Sequence, residues 1–260
     1  MLFTDQCGRT FDIKSPPGRI ISLVPSQTEL LYDLGLQDEV CGITKFCIHP
    51  EEWFRTKTRV GGTKDIKTDI IDQLRPDLII ANKEENVKDQ IDQLATRWPV
   101  WVSDVNNLDE ALQMIREIGK LTDRTTTATQ LINQLSDAFK QFNPVRTRLR
   151  TAYLIWKDPY MTAGGDTFIH SMLEAAGFEN IYVHNKRYPE ISLGELKSVG
   201  CKLLLLSSEP YPFSEKHIAE LQAELPDVQI LLADGEMFSW YGSRLLKAPA
   251  YFQKLREMVK

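Results

Sequence analysis

The residues best suited to chemistry in this chain are aromatic and cationic side chains in short segments that follow apolar runs. Segment 44–49 carries Lys45, Phe46 and His49, segment 61–64 the pair Gly61-Gly62 with Thr63 and Lys64, and segment 82–86 Lys83, Glu84 and Glu85. In the second half, segment 156–161 holds Trp156, Lys157 and Tyr160, segment 207–212 holds Glu209 and Tyr211, and segment 234–244 holds Trp240, Tyr241 and Arg244. Aromatic faces with a few polar groups suit a large, flat ligand with anionic or amide edges. On type and position, Trp156 and Trp240 are expected to offer stacking surface and Lys45 and Arg244 to meet those edges. A structural role competes at each point: Trp156 ends an apolar strand, Trp240 and Tyr241 could pack the end of the second half, and Arg244 could form an internal ion pair.

Signals for bond-making chemistry are weak. There is no GxSxG elbow, P-loop or GxGxxG turn, and the adjacent acids Glu84 and Glu85 read as solvated. His170 and His217 fall on expected helices and His184 at a strand end, and no two histidines have metal-ligand spacing. No resident metal is expected; His49, in a loop before Pro50, is the weak candidate ligand. Cys7, Cys41, Cys47 and Cys201 lack CxxC spacing, which disfavours zinc, and a Cys41–Cys47 disulfide stays open.

The elements that would position these segments repeat. The run 29–36 followed by the apolar stretch 40–44 has its counterpart in 171–178 followed by 180–184. Segment 73–80 matches 197–206, and 91–95 with 99–104 matches 218–222 with 227–234. Three helix-then-strand units thus recur in the same order, which predicts an α/β fold of two pseudo-repeated Rossmann-like lobes with parallel sheets and a ligand cleft between lobes. In such sheets ligands meet the carboxyl ends of the strands, where the aromatic segments fall. A β-hairpin is expected over 2–13, around a turn at residues 5–8. Ser26 is expected to cap the first helix, with Glu29 completing a capping box, and Asp166 to cap a later one after the tight turn Gly164-Gly165. Apolar residues at Ala128, Leu131, Ile132, Leu135, Ala138, Phe139 and Phe142 have helical spacing. They predict one helix over 118–142, ended by Asn143-Pro144, about 36 Å long at 1.5 Å per residue. The domain reading is a first lobe over 1–118, a linking helix over 119–142 and a second lobe over 143–260, a stiff clamp with small hinge motion.

At 260 residues, 42% hydrophobic and 26% charged, the chain has ample material for a soluble core. A net charge of -5 argues against general nucleic-acid binding. No apolar run approaches the roughly 18 residues needed to cross a membrane, and residues 1–10 lack the basic head and apolar stretch of an export signal.

Together these residues resemble the ABC-transporter solute-binding proteins with a single helical backbone, the class III group that binds cobalamin, ferric siderophores and haem. Residues 5–9 resemble the group's opening D-x-x-G-R, residues 19–31 its first strand and helix, and residues 74–80 its L-x-P-D-L-[IV] strand. The likeness runs from Cys7 to the end of the chain and is greatest to the cobalamin-binding periplasmic members. It implies a metal chelate, cobalamin or another corrinoid, held by Pro25, Ser26 and Thr63 on one lobe and Trp156, Trp240 and Tyr241 on the other, with Lys45, Tyr160 and Arg244 alongside. Where cobalamin binders often carry an aromatic residue, this chain has Thr63. The resemblance also implies docking of Asp69 and Glu195 onto arginines of an ABC permease, which sets orientation and on-rate more than affinity. A monomer without a cofactor of its own is expected, periplasmic or at the cell surface if an export signal precedes this sequence, and cytoplasmic if Met1 is the start.

Ferric-siderophore or haem binding is the near alternative. A cytoplasmic tetrapyrrole chelatase-like enzyme is the distant one; it would need His49 with Glu84 or Glu85 facing the ligand. A bare-metal carrier is disfavoured by the histidine count.

Overall fold

A computed structural model describes residues 1–13, 15–142 and 149–259. The chain forms two compact units. The first comprises Met1–Val105, Asp109–Gln134 and Tyr241–Arg244; the second comprises Asn106–Leu108, Leu135–Trp240 and Leu245–Lys260.

The first unit opens with β1 (Leu2–Thr4) and β2 (Thr10–Asp12), paired antiparallel as the sequence predicts. Asp5 organises the turn: its Oδ1 accepts from the backbone N of Cys7 and Arg9, and its Oδ2 accepts from Arg9 Nε at 2.9 Å. Gly8 takes φ 79 in that turn, which favours a residue without Cβ. The D-x-x-G-R pattern is therefore a self-bonded turn.

Next come β3 (Ile20–Ser22), α1 (Pro25–Asp33), β4 (Val40–Ile43), α2 (Glu51–Thr56), β5 (Thr58–Arg59), α3 (Thr68–Leu74), β6 (Leu78–Asn82), α4 (Lys88–Ala95) and β7 (Val100–Ser103). The strands form one parallel sheet in the order β5-β4-β3-β6-β7. Every residue of β3, β6 and β7 is buried, as a parallel sheet covered on both faces requires. The start of the sheet is tied by Asp77, whose carboxylate accepts from the backbone N of Gly18 and Arg19, each at 2.8 Å. That is the physical content of the P-D step before β6.

Two helices follow, α5 (Leu108–Leu121) and α6 (Thr125–Gln141), and they correct the expectation of one helix from residue 118. Asp123 takes φ 56, Arg124 N donates to Gly119 O at 2.7 Å, and α5 closes there. A Cβ on Gly119 would lie 2.3 Å from Ala128 Cβ, so glycine lets the two helices approach. The second helix has 17 residues, about 26 Å; the expected stop at Asn143-Pro144 lies outside the described residues.

The second unit contains β8 (Leu149–Trp156), β9 (Tyr160–Thr162), α7 (Phe168–Ala175), β10 (Phe178–Asn180), β11 (Glu190–Ile191), α8 (Leu193–Ser198), β12 (Leu203–Ser207), α9 (Glu215–Glu224), β13 (Gln229–Ala233), α10 (Glu236–Ser239) and α11 (Ala248–Glu257). Its sheet runs β11-β9-β8-β12-β13, with β10 also pairing β8. β10 and β12 lie parallel to β8, and β9 antiparallel.

The repeat is real in both units. α1-β4, α3-β6 and α4-β7 recur as α7-β10, α8-β12 and α9-β13. The neighbour order β4-β3-β6-β7 recurs as β10-β8-β12-β13. Strand β10 is shorter than expected: it ends at Asn180, so His184 lies in the turn that follows. The cap of α7 is Thr167, not Asp166. Thr167 Oγ1 accepts from His170 N at 3.2 Å and donates to Gly164 O at 2.8 Å, while Asp166 accepts from Arg187 N. Thr167→Ala is expected to lower the free energy of unfolding by about 1 kcal/mol, the usual worth of such a cap; denaturant titration of the two proteins checks it.

Candidate functional site

In the first unit the carboxyl ends of β3, β4, β5 and β6 feed four segments locked by a network of hydrogen bonds. Asn82 Oδ1 accepts from Glu84 N and Glu85 N, and Asn86 Nδ2 donates to Leu23 O at 3.3 Å and Thr63 O at 3.0 Å. Cys47 is buried, with Thr28 Oγ1 at 3.1 Å and Thr44 Oγ1 at 3.2 Å, and burial raises the pKa of its thiol. Cys7, Cys41, Cys47 and Cys201 are all free thiols, so Cys41 and Cys47 form no disulfide. With Cys47 held inside, the same segment turns its neighbours out: Phe46 is 51% exposed, and Ile48 and Lys45 are exposed too. The Lys45 ammonium lies 5.1 Å from the Phe46 ring centroid. Gly62 makes room for this arrangement, because a Cβ there would fall 3.1 Å from Phe46 Cε2 and 3.3 Å from Lys45 Cε.

Pro25 occupies the first turn of α1, whose N-cap is Val24 without a side-chain cap, so Ser26 does not cap this helix. Ser26 is buried in that turn, Thr63 is half-buried, and His49 is half-buried beside Pro50. Glu29 completes no capping box. Its Oε2 and Oε1 accept from Arg244 Nε and Nη2, both at 2.7 Å, and Arg244 is buried. Tyr241, 5% exposed, donates its hydroxyl to Glu85 Oε1 at 3.0 Å, and Ser243 Oγ donates to Asp33. A Cβ on Gly242 would lie 2.5 Å from Ser26 O. Tyr241 and Arg244, expected on the second lobe, thus belong to the first unit, seated against α1 and the segment after β6.

In the second unit, Trp156 ends β8 with 41% of its surface exposed, so core burial is not its role. Tyr211 meets it edge-on, with ring centroids 5.8 Å apart at 71°. Tyr160 is half-buried on β9, and burial, the largest cause, raises the pKa of its phenol. Trp240 is different. It is 6% exposed and donates Nε1 to Glu209 Oε1 at 3.0 Å, which also accepts from Ser239 Oγ at 2.6 Å. Burial raises the pKa of the Glu209 carboxyl above the ordinary 4.5; Glu236 and Asp234 act in the same direction, and the two hydrogen bonds oppose them.

Sequence reasoning named Phe46 within its segment but chose only its neighbour Lys45 for the site, and it passed over Tyr188. The signal was in the repeat. β4 and β10 are equivalent strands, and Phe46 and Tyr188 lie in the segments after them. Tyr188 is half-buried, with the Arg187 guanidinium 5.5 Å from its ring centroid. Asp69, exposed, and Glu195, half-buried, sit in the first turns of the equivalent helices α3 and α8, where a carboxylate is favoured by the helix dipole. Among the described residues no group of three or more His, Cys, Asp or Glu is placed to hold a metal ion.

α/β sheets whose carboxyl-end segments present aromatic and cationic side chains place ligand-binding groups where such folds hold small molecules. The chain belongs to the periplasmic binding protein family, whose model matches residues 20–226. It is 27% identical over 198 residues to the vitamin B12-binding protein of Yersinia pestis (strain Pestoides F), covering 73% of this chain and 69% of that one. The fold matches the periplasmic vitamin B12-binding protein of Vibrio cholerae with a TM-score of 0.76 at 20% identity, over 94% of this chain and 99% of the other. It also matches a protein of an ABC-type Fe3+-hydroxamate transport system of Saccharomonospora viridis DSM 43017, with a TM-score of 0.75 at 20% identity over 98% of each chain. Members of this family are solute-binding proteins and not enzymes. Membership implies a small-molecule ligand, an ABC permease as partner and a periplasmic location. Among the described residues no helix is long and apolar enough to cross a membrane.

Two outcomes follow from this geometry. Arg244→Met removes a buried guanidinium from a carboxylate that is only 12% exposed and should cost about 3–5 kcal/mol of stability, whereas Glu29→Leu combined with Arg244→Met should cost less than Arg244→Met alone; denaturant unfolding of the single and double variants measures the difference. For Glu209, a carboxyl pKa raised on folding means that protonation favours the folded state. The stability of the native protein relative to Glu209→Gln should therefore rise as pH falls through the folded pKa and level off below about 4.5. A difference that stays flat across acid denaturation series would reject this.

Proposed function

We propose that this protein is the solute-binding component of an ABC importer and that it captures a metal chelate, cobalamin or another corrinoid, for delivery to a membrane permease. The observation that carries the reading is the exposed ring of Trp156 at the carboxyl end of β8, braced edge-on by Tyr211. A flat, largely apolar macrocycle with amide edges matches such a surface. In the first unit, Phe46 lies beside Thr63's segment and supplies the aromatic face that position 63 lacks, with the Lys45 ammonium next to it for amide or anionic edges. The sequence identity to vitamin B12-binding proteins points the same way.

Of the residues expected in the site, Trp156, Tyr160, Lys45, Thr63 and Pro25 keep accessible surface for a ligand. Trp240, Tyr241 and Arg244 act behind it, through Glu209, Glu85 and Glu29. Asp69 and Glu195 are the carboxylates proposed to meet permease arginines, from the first turns of α3 and α8.

Titration of the purified protein with cobalamin, haem and a ferric hydroxamate, followed by tryptophan-fluorescence quenching, tests the reading. Saturable one-to-one quenching by cobalamin is expected, and Trp156→Ala and Phe46→Ala should each weaken it by about 1 kcal/mol, roughly fivefold. Saturation by haem or the hydroxamate instead would assign the other chelate class. Unchanged affinity in Trp156→Ala would remove that surface from the site.

A further inference from the structure

Trp156 exposes its ring, and an exposed indole at a strand end needs something to fix its orientation. Helix α9 does so from two sides. Lys157 Nζ donates to Glu220 Oε2 at 2.7 Å, which ties the residue after Trp156 to the first turns of α9. The other tie runs through His217, which is buried at the start of the same helix.

The hydrogen bonds of His217 select its tautomer. Ser214 N donates to His217 Nδ1 at 3.0 Å. A backbone N–H can only donate, so Nδ1 carries the lone pair and the neutral ring keeps its proton on Nε2. A charged ring would set two donors against each other there. Nε2 lies 3.2 Å from the Tyr211 hydroxyl and donates to it. The Tyr211 ring is bracketed by His217 at 5.5 Å, Phe213 at 4.7 Å and Trp156 at 5.8 Å between centroids. Its backbone N donates to Ile155 O at 3.3 Å, next to Trp156 in the chain. A leucine or phenylalanine could fill the pocket of His217; what imidazole adds is an acceptor for the helix cap and a donor for Tyr211 at fixed separation.

We propose that His217 is a positioning residue for the ligand surface: its Nε2–H fixes the Tyr211 ring, and Tyr211 fixes the exposed indole of Trp156. The proposal rests on the reading of Trp156 as stacking surface, and the test separates the two. His217→Asn keeps an acceptor near the Nδ1 position for Ser214 but loses the donor to Tyr211. His217→Gln carries an amide donor that can reach the Tyr211 hydroxyl and an amide oxygen that can accept from Ser214 N, so it can replace both bonds. In protein labelled with fluorotryptophan, the Trp156 resonance is identified by its loss in Trp156→Phe. That resonance should shift and broaden in His217→Asn and in Tyr211→Phe, and hold its place in His217→Gln, without any ligand present.

Cobalamin affinity should follow the same order: a fall of about three- to tenfold in His217→Asn, the net worth of one hydrogen bond, and less than twofold in His217→Gln. A purely structural histidine would instead make both signals follow melting temperature. A Trp156 resonance untouched in His217→Asn and Tyr211→Phe, or moved equally in Asn and Gln variants, overturns the proposal. A resonance that follows the expected order while Trp156→Ala leaves cobalamin affinity unchanged overturns only the ligand reading and leaves the positioning role standing.

Discussion

The strands β6 and β12 are buried along their whole length, five residues each, and nearly everything else about the site follows from that. A parallel strand covered on both faces can offer no side chain to a ligand from its middle, because each one is used in packing. Binding groups can come only from where the strands run out. At the carboxyl ends the chain turns toward the next helix, and there the sequence places Phe46, Lys83, Trp156, Tyr188 and Tyr211. The leucines of β12 and the isoleucines of β6 set the rigid base; the loops carry the recognition.

The fold was largely legible because its signals are local. Apolar runs of four to eight residues, spaced by amphipathic helices, appear in the sequence twice in the same order, and each of the three paired units is present. What failed were features decided by distant partners or by a single backbone angle. The expected long helix breaks at Asp123, which adopts a left-handed conformation with no glycine to announce it. Trp156 and Trp240 look alike in sequence, each an indole near the end of an apolar run, yet one is exposed and the other lies under Glu209. In the sequence Arg244 reads equally as a ligand contact or as half of an ion pair, because its partner, Glu29, is 215 residues away. Pattern finds elements; it cannot find a contact between residues that share no local period.

The ionisable groups of the interior are arranged for inertness. Burial raises the pKa of the Cys47 and Tyr153 side chains and pushes that of Cys201 up to about 11, so these groups stay protonated and poor nucleophiles at neutral pH. Tyr241 is held protonated by burial beside Glu85. Two half-buried carboxylates are treated differently: Glu29 faces a guanidinium, while Glu209 is met by a hydroxyl and an indole N–H. One is compensated charge for charge, and the other is left to gain from protonation. A protein that binds and releases its ligand unchanged has no use for an activated nucleophile.

The four residues Tyr241–Arg244 belong to the first unit although they come after nearly all of the second in the chain. Synthesis is vectorial, so a nascent chain that has emerged as far as β13 holds every strand of the first sheet but lacks the hydroxyl that meets Glu85, the guanidinium that meets Glu29 and the backbone that lies on Ser26. The amino-terminal unit is the first to be begun, yet it is not complete until residue 244 has been made, shortly before α11 ends the second unit. Its completion waits for residues 241–244 to leave the ribosome, a long sequence separation that puts a loop-closure cost on seating them.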